Sequence, residues 1–414
     1  MVLRRRRLGL FADRDFTLFF VGRTTSAVGD WLLLVALPLY VYSRTGSTTS
    51  TAFTFMSATL PGLLLGPAAG ALVDRWNRRL VMLVADLGRA GLLVILLGDP
   101  SRHLIWTVFL VAAAQGCLSQ LFGPAQSAVL PSLLPPGELM AANSAMTAGS
   151  ELALLGGPVL GGLIYAVAGL RLSVGLDIAT YLLSAGTIVS IRSRAFRCSA
   201  SGESEQSHSV LADLIEGVRF AIKHRALRSL LIVCTMMFLA GGILRVLIVP
   251  FSRNDLHASG TGYGTILSAQ AIGGIVGALI AKRFPRASAR ACLVMFLSLL
   301  LVAMVVATLA LTTTWWAASA CLALGGIPTS ISGIITITLL QSLPTDSLRG
   351  RVFGLYQSAS ALGLVIGAPV AGFLVSSFGN FASIETAAAI FAVAGVAALV
   401  TFPTSISVHF QNRD

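Results

Sequence analysis

Charge is what this chain has least of. Charged side chains make up 11% of its 414 residues, whereas a soluble domain carries about a quarter. An ordinary water-facing surface is therefore excluded. Acids are scarcer than bases, 17 against 29, which leaves a net charge of +12. That surplus does not point to nucleic acid, because the bases sit in short gaps between apolar runs and form no basic face. Cysteine is sparse too. Cys117, Cys198, Cys234, Cys292 and Cys321 show no paired spacing, so no disulfide framework or metal site is expected, and they read as packing residues. There is no Walker loop, so ATP hydrolysis within the chain is not expected. No nucleophile motif gathers Ser, His and Asp. The chain does not read as an enzyme, and no cofactor is expected.

What is abundant is apolar. Hydrophobic residues reach 55%, mean hydropathy is +0.84, and 41 residues are glycine, as suits closely packed membrane helices. Runs long enough to cross a bilayer, roughly 17 to 25 residues, lie near 17–42, 50–73, 80–98, 104–128, 140–168 and 171–191. After a polar gap they resume at 229–251, 262–283, 290–311, 315–340, 350–378 and 381–403. The first run is too long for a signal-peptide core and no cleavage site follows it, so it counts as a span. The expectation is an all-α integral membrane protein with twelve transmembrane helices in two pseudo-symmetric six-helix bundles, 1–191 and 229–414.

The basic residues set the orientation. With the N-terminus inside the cell, 22 of the 29 fall in cytoplasmic segments. Only Arg44, Arg102, Arg171 and Arg253 fall outside, and Arg23, Arg89 and Arg245 fall within spans. A multi-pass protein of the cytoplasmic membrane with both termini in the cytoplasm is expected. The gap 192–228 opens with Arg192-Ser193-Arg194 and passes through a Ser/Glu/Gln tract, Ser199 to Ser209. Its second part repeats apolar residues at helical spacing from Leu211 to Ile222. That predicts a flexible linker followed by an interfacial helix ending near His224.

One loop is especially informative. Gly70-Ala71-Leu72-Val73-Asp74-Arg75-Trp76-Asn77-Arg78-Arg79 runs a span straight into one acid and three arginines, and the next span starts at Leu80. This pattern resembles the loop between helices 2 and 3 of the major facilitator superfamily. The halves also resemble each other. Gly157-Pro158-Val159-Leu160-Gly161 matches Ala368-Pro369-Val370-Ala371-Gly372, and Gly70-Ala71-Leu72 matches Gly277-Ala278-Leu279. A duplicated six-helix unit around a midplane site is a transporter architecture. The copy is partial, since Ala281 stands where the first half has Asp74. In the fifth span, Gly157-Pro158-Val159-Leu160-Gly161-Gly162 resembles the signature of drug/proton antiporters. Glycines there permit close helix approach, and the proline is expected to bend the helix. Gly29-Asp30-Trp31, Leu60-Pro61, Ala85-Asp86-Leu87-Gly88-Arg89-Ala90 and Glu216-Gly217 resemble the macrolide-efflux and enterobactin-exporter branch. The resemblance implies proton-driven export of a small amphipathic compound, such as a macrolide, by a monomer in the bilayer. The alternatives are export or uptake of a specific metabolite or siderophore, and a non-transporting membrane receptor or sensor on the same scaffold.

Charges inside spans need a reason. Asp30 lies deep in span 1 with no base three or four positions away, and is the first candidate for proton or cationic-substrate binding. Asp86 and Arg89 are one turn apart and can pair. Glu151 has no local partner and precedes the Gly-Pro motif. Arg245 in span 7 is a candidate to meet an acid or an anionic substrate group. Asp177, Arg171 and Glu385 sit toward outer ends, where water-exposed structural roles are expected, and Arg23 is near enough to the cytoplasmic face to snorkel. Many proton-coupled relatives carry an arginine in span 4 just before Gln-Gly. Here Val111-Ala112-Ala113-Ala114-Gln115-Gly116 has none, so any coupling must use other residues. Asp74 and Arg75, with Gly70, Arg78 and Arg79, are expected to gate the cytoplasmic side.

Overall fold

With no water in the hydrocarbon core, a spanning chain satisfies its backbone most simply as helix. The computed structural model describes residues 10–74, 76–98, 105–134, 138–192, 219, 224–281, 289–342 and 346–401, and they are helical almost throughout. In chain order come α1 (Arg14–Thr45), α2 (Thr48–Asp74), α3 (Arg78–Val94, extended by a 3-10 turn at Ile95–Gly98) and α4 (Ile105–Leu133). The next stretch, Leu139–Ser190, is continuous except at Gly169 (φ 68°, ψ −162°), which divides it into α5 (139–168) and α6 (170–190). Then follow α7 (Arg225–Pro250, passing into a π turn at Phe251–Asp255), α8 (Gly260–Ala281), α9 (Ala289–Leu309) and α10 (Trp315–Ser342). A last stretch, Asp346–Thr401, is divided at Gly379 (φ 81°, ψ 176°) into α11 (346–378) and α12 (380–401).

Eight of these stretches are long and apolar enough to cross a membrane. Two of the eight hold a glycine break and so supply two spans each, and α2 and α9 complete twelve. Both breaks lie in a region of backbone space that is essentially glycine-only. They allow two spans to join with no loop. Pro158 lies inside α5, where the backbone keeps helical angles, and the residue with non-helical angles in this stretch is Gly169. A lone proline deletes one backbone bond, which a packed membrane helix absorbs without breaking. Helix α4 runs past its expected end at 128 to Leu133, through Pro124 and Pro131. The matched residues Asp74 and Ala281 are the last residues of α2 and α8 respectively. The linker tract Ser199–Ser209 and nearly all of the expected interfacial helix lie outside the described residues, as does Arg75.

Lipid-facing positions account for exposed apolar side chains such as Leu64, Trp106, Leu110 and Val167. Helix α3 is the most one-sided. It buries Val81, Met82, Ala85, Asp86, Arg89, Ala90 and Leu93 and exposes Leu80, Val84 and Leu87. Asn77 caps it, accepting from the backbone N–H of Arg79 and Leu80, which fixes the tight turn after α2.

The chain forms two compact units. One comprises Met1–Arg44 with Leu60–Glu205, the other Thr45–Thr59 with Gln206–Asp414. The start of α2 thus belongs with the second unit, where Thr49 and Ala52 pack against Gly372 of α11. Within that unit α7 and α11 approach closely at Gly242, Gly363 and Gly367, and α8 and α10 at Gly273, Gly277 and Gly326. Within the first unit α5 approaches α1 at Gly157 and Gly161. A Cβ on Gly157 would run into Trp31, and one on Gly161 would lie 3.0 Å from Leu32 Cα.

Candidate functional site

Two apolar clusters of the first unit lie among the described residues. One gathers Phe16, Phe19, Val81, Met82, Ala85, Phe122 and Ala125. The other gathers Leu33, Ala36, Leu37, Ala90, Leu93, Val108 and Val174. Between them, on α1, α3 and α6, lies a knot of ionisable side chains. Helix α1 supplies Arg23 and Asp30, two turns apart on one face. Helix α3 supplies Asp86 and Arg89. Helix α6 supplies Asp177, Thr180, Tyr181 and Ser184, whose spacing makes one polar stripe on an otherwise apolar helix.

Arg89 is the hub. Its guanidinium pairs with Asp86 Oδ1 on its own helix and lies 3.8 Å from Asp30 Oδ1. It also sits over the Tyr181 ring at 4.4 Å and the Phe122 ring at 4.9 Å from the centroids. Planar guanidinium stacks well on aromatic faces. Asp30 takes a second guanidinium from Arg23 at 3.7 Å and accepts a hydrogen bond from the Tyr181 hydroxyl at 2.6 Å. Gln115 of α4 donates its amide to the Arg89 carbonyl at 3.2 Å. Asp30 is 39% exposed and Arg89 3%, while Asp86 and Asp177 are fully buried. One carboxylate is therefore partly exposed while the arginine paired with it is sealed.

The pair expected between Asp86 and Arg89 is present, and it extends to Asp30, which lacks no counter-charge once α3 is folded against α1. Arg23 turns inward to Asp30 and over Phe122, 5.8 Å from the ring centroid, and does not snorkel outward. An acid seven residues away and an aromatic ring outcompete the interface for it. Asp177 is not the water-exposed residue expected from its place near an outer end. It is buried against α1, where a Cβ on Gly29 would meet the Asp177 carboxylate and the Thr180 hydroxyl. The missed signal is the recurrence Asp177, Tyr181, Ser184 at helical spacing, answered on α1 by Gly22, Ser26 and Gly29. Small residues at that spacing bring two backbones together.

The remaining candidates lie apart. Glu151 is exposed on α5 and has no partner among the described residues. Arg245 of α7, in the second unit, forms no ion pair among the described residues. The ionisable group within electrostatic reach is the buried Tyr263 of α8. Gly70 and Asp74 lie in the last turns of α2. Arg78 donates to the Ala128 carbonyl of α4 at 3.0 Å, and Arg79 to the Val189 carbonyl at the end of α6. These arginines tie the start of α3 to the C-terminal parts of two helices, where the carbonyl dipoles favour a cation. Gly162 is buried in α5 beside Gly161.

A bundle of twelve membrane helices with ionisable groups locked at mid-span is the make-up of a secondary transporter of the major facilitator type. The chain belongs to the transmembrane secretion effector family, whose model matches residues 7–410. It is 27% identical over 365 residues to the enterobactin exporter EntS of Shigella dysenteriae, spanning 86% of this chain and 84% of that protein. It is 28% identical over 383 residues to the EntS of Citrobacter koseri, 88% of each. An uncharacterised transporter of the same superfamily, YfiS of Bacillus subtilis, is 30% identical over 219 residues, 52% of each chain. Among solved structures, a bacterial homologue of the iron transporter ferroportin in an inward-facing state superposes with a TM-score of 0.73 at 16% identity, covering 95% of this chain and 99% of that one. The nucleoside transporter NupG superposes at 0.75 with 12% identity, covering 94% and 99%. At such identities these structures speak for the fold alone.

Proposed function

We propose that this chain exports a small amphipathic compound from the cytoplasm by alternating access, driven by protons moving inward. The observation that carries the reading is the Arg23–Asp30–Arg89–Asp86 network. It is a set of mutually dependent charges in an apolar bundle, partly exposed at Arg23 and Asp30 and sealed at Arg89 and Asp86. Charges in a bilayer are retained where they move ions or substrate. Protonating Asp30 would weaken its hold on Arg23 and Arg89, and that rearrangement is a natural coupling step. Glu151 is exposed and can accept a proton or a cationic group. Arg245, which forms no ion pair among the described residues, suits an anionic substrate group. Asp74, Arg75, Arg78 and Arg79 serve as the cytoplasmic latch, and Gly157, Pro158, Gly161 and Gly162 as the close-packed slide between α1 and α5.

An anionic, iron-chelating compound of the siderophore class is favoured over a macrolide, because the named relatives export enterobactin and Arg245 is available for a negative group. The test is a proteoliposome assay with an imposed pH gradient, offering enterobactin and a macrolide separately. Uphill movement of enterobactin that collapses with an uncoupler supports the reading. Uphill movement of the macrolide alone would transfer the function to drug efflux, and movement of neither under a pH gradient would overturn proton-driven export of both.

A further inference from the structure

Among the described residues, the network around Arg89 contains three carboxylates, Asp30, Asp86 and Asp177, but two guanidiniums, Arg23 and Arg89. Asp30 receives both guanidiniums and the Tyr181 hydroxyl. Asp86 receives the nearest nitrogen of Arg89. Asp177 receives neither. Its Oδ1 accepts from the Thr180 hydroxyl at 3.1 Å, its Oδ2 has no hydrogen-bond partner, and the residue is fully buried. The charged groups that act on it are Asp30 of α1 and Asp86 and Arg89 of α3, with Tyr181 the titratable neighbour on its own helix. Two of those three charges are of its own sign. A buried carboxylate with no cation of its own and two anions nearby is far costlier than a neutral carboxyl group.

We infer that Asp177, and not Asp30, is the residue that holds the transported proton, with Asp30 the water-facing relay through which that proton comes and goes. The inference rests on the proton-coupled reading above. The step is proton transfer alone. The Asp177 O–H bond breaks, the proton passes by way of Asp30 to water on one side of the membrane, and the carboxylate recovers one from the other side. Gly29 is what makes the relay short. It lets the Asp177 carboxyl group rest against the α1 backbone one residue before Asp30. Any shift of α1 along α6 therefore changes the surroundings of Asp177 and Asp30 together.

Infrared spectra of the full chain in liposomes test this without a substrate. Wild type should show a deuterium-sensitive carboxylic-acid band at neutral pH. The band should vanish in Asp177→Asn, stay in Asp30→Asn and shift in Asp177→Glu, which also serves if the asparagine variant is unstable. A band that persists in Asp177→Asn, or none in wild type, overturns the inference. Transport of enterobactin supplies the second arm. Asp177→Asn should lose about a hundredfold in pH-driven uphill rate, the low end of what a proton-transferring side chain contributes, and keep downhill exchange. Asparagine preserves both neutrality and the Thr180 hydrogen bond, so a merely structural Asp177 would leave uphill transport unchanged. Uphill transport intact in Asp177→Asn overturns this assignment alone, whereas a wild type indifferent to the pH gradient overturns the antiport reading and the carrier role with it.

Discussion

Arg89 illustrates how one residue can hold a site together. It is 3% exposed and faces two carboxylates and two aromatic rings. Removing it leaves Asp86 buried without a counter-charge, which costs about 3–5 kcal/mol in comparable buried pairs. Arg89→Ala should therefore lower the thermal unfolding midpoint of the detergent-solubilised protein. Arg89→Lys should recover part of that, since it keeps the charge but loses the flat contact with Tyr181 and Phe122. A midpoint for Arg89→Ala equal to wild type would mean that Asp86 had found another partner or a proton. The Asp86–Arg89 pair was visible in the sequence because three residues along a helix is a local relation. Asp177 was not. Its burial depends on Gly29, 148 positions earlier in the numbering, and no local pattern reports which helix will lie against α6. What could be read there was only that Asp177, Tyr181 and Ser184 share a face.

At the level of elements, glycine does two separate jobs. At Gly161 it allows close approach, with the α1 backbone 3.0–3.1 Å from where a Cβ would stand. Gly161→Leu should abolish export while leaving the protein inserted. Gly161→Ala should be milder, at about 1–3 kcal/mol of overpacking, and equal export by the two variants would show that the α1–α5 contact is not used in the cycle. At Gly169 and Gly379 glycine supplies a backbone angle instead. Alanine at either should cost about 1–3 kcal/mol, read as a lower unfolding midpoint, although open space surrounds both positions. The span limits at 168 and 171, and at 378 and 381, were readable from the apolar runs. The absence of any loop between them was not, because hydropathy measures where apolar character pauses and says nothing of backbone direction. In the loop after α2, Arg79→Ala should loosen the start of α3 from the end of α6. Asp74→Asn, correctly inserted, should slow export strongly, and wild-type efflux from it would remove the latch.

Across the whole molecule, the duplicated motifs and the polar gap read as two six-helix halves. Packing groups the chain into two units, with Thr45–Thr59 in the second. Sequence proximity and the repeat both assign the start of α2 to the first half, whereas packing of Thr49 and Ala52 on Gly372 assigns it to the other. Orientation remains a matter of charge. The 22 bases in one set of segments against four in the other predict both termini in the cytoplasm. A C-terminal fluorescent reporter should mature and a C-terminal alkaline phosphatase should stay silent. The reverse result would invert every direction assigned above.

The glycine joint at 169 has a mechanical consequence. A loop between two spans is slack, and slack absorbs displacement. Here α5 and α6 are hinged end to end with nothing to pay out. A sliding of α5 along α1 at Gly157 and Gly161 must pull on the joined end of α6, eight residues from Asp177. Lengthening the joint by a few flexible residues would leave every contact of the resting protein in place and yet cut the tether, so that the helix carrying the slide and the helix carrying the buried acid would move out of step.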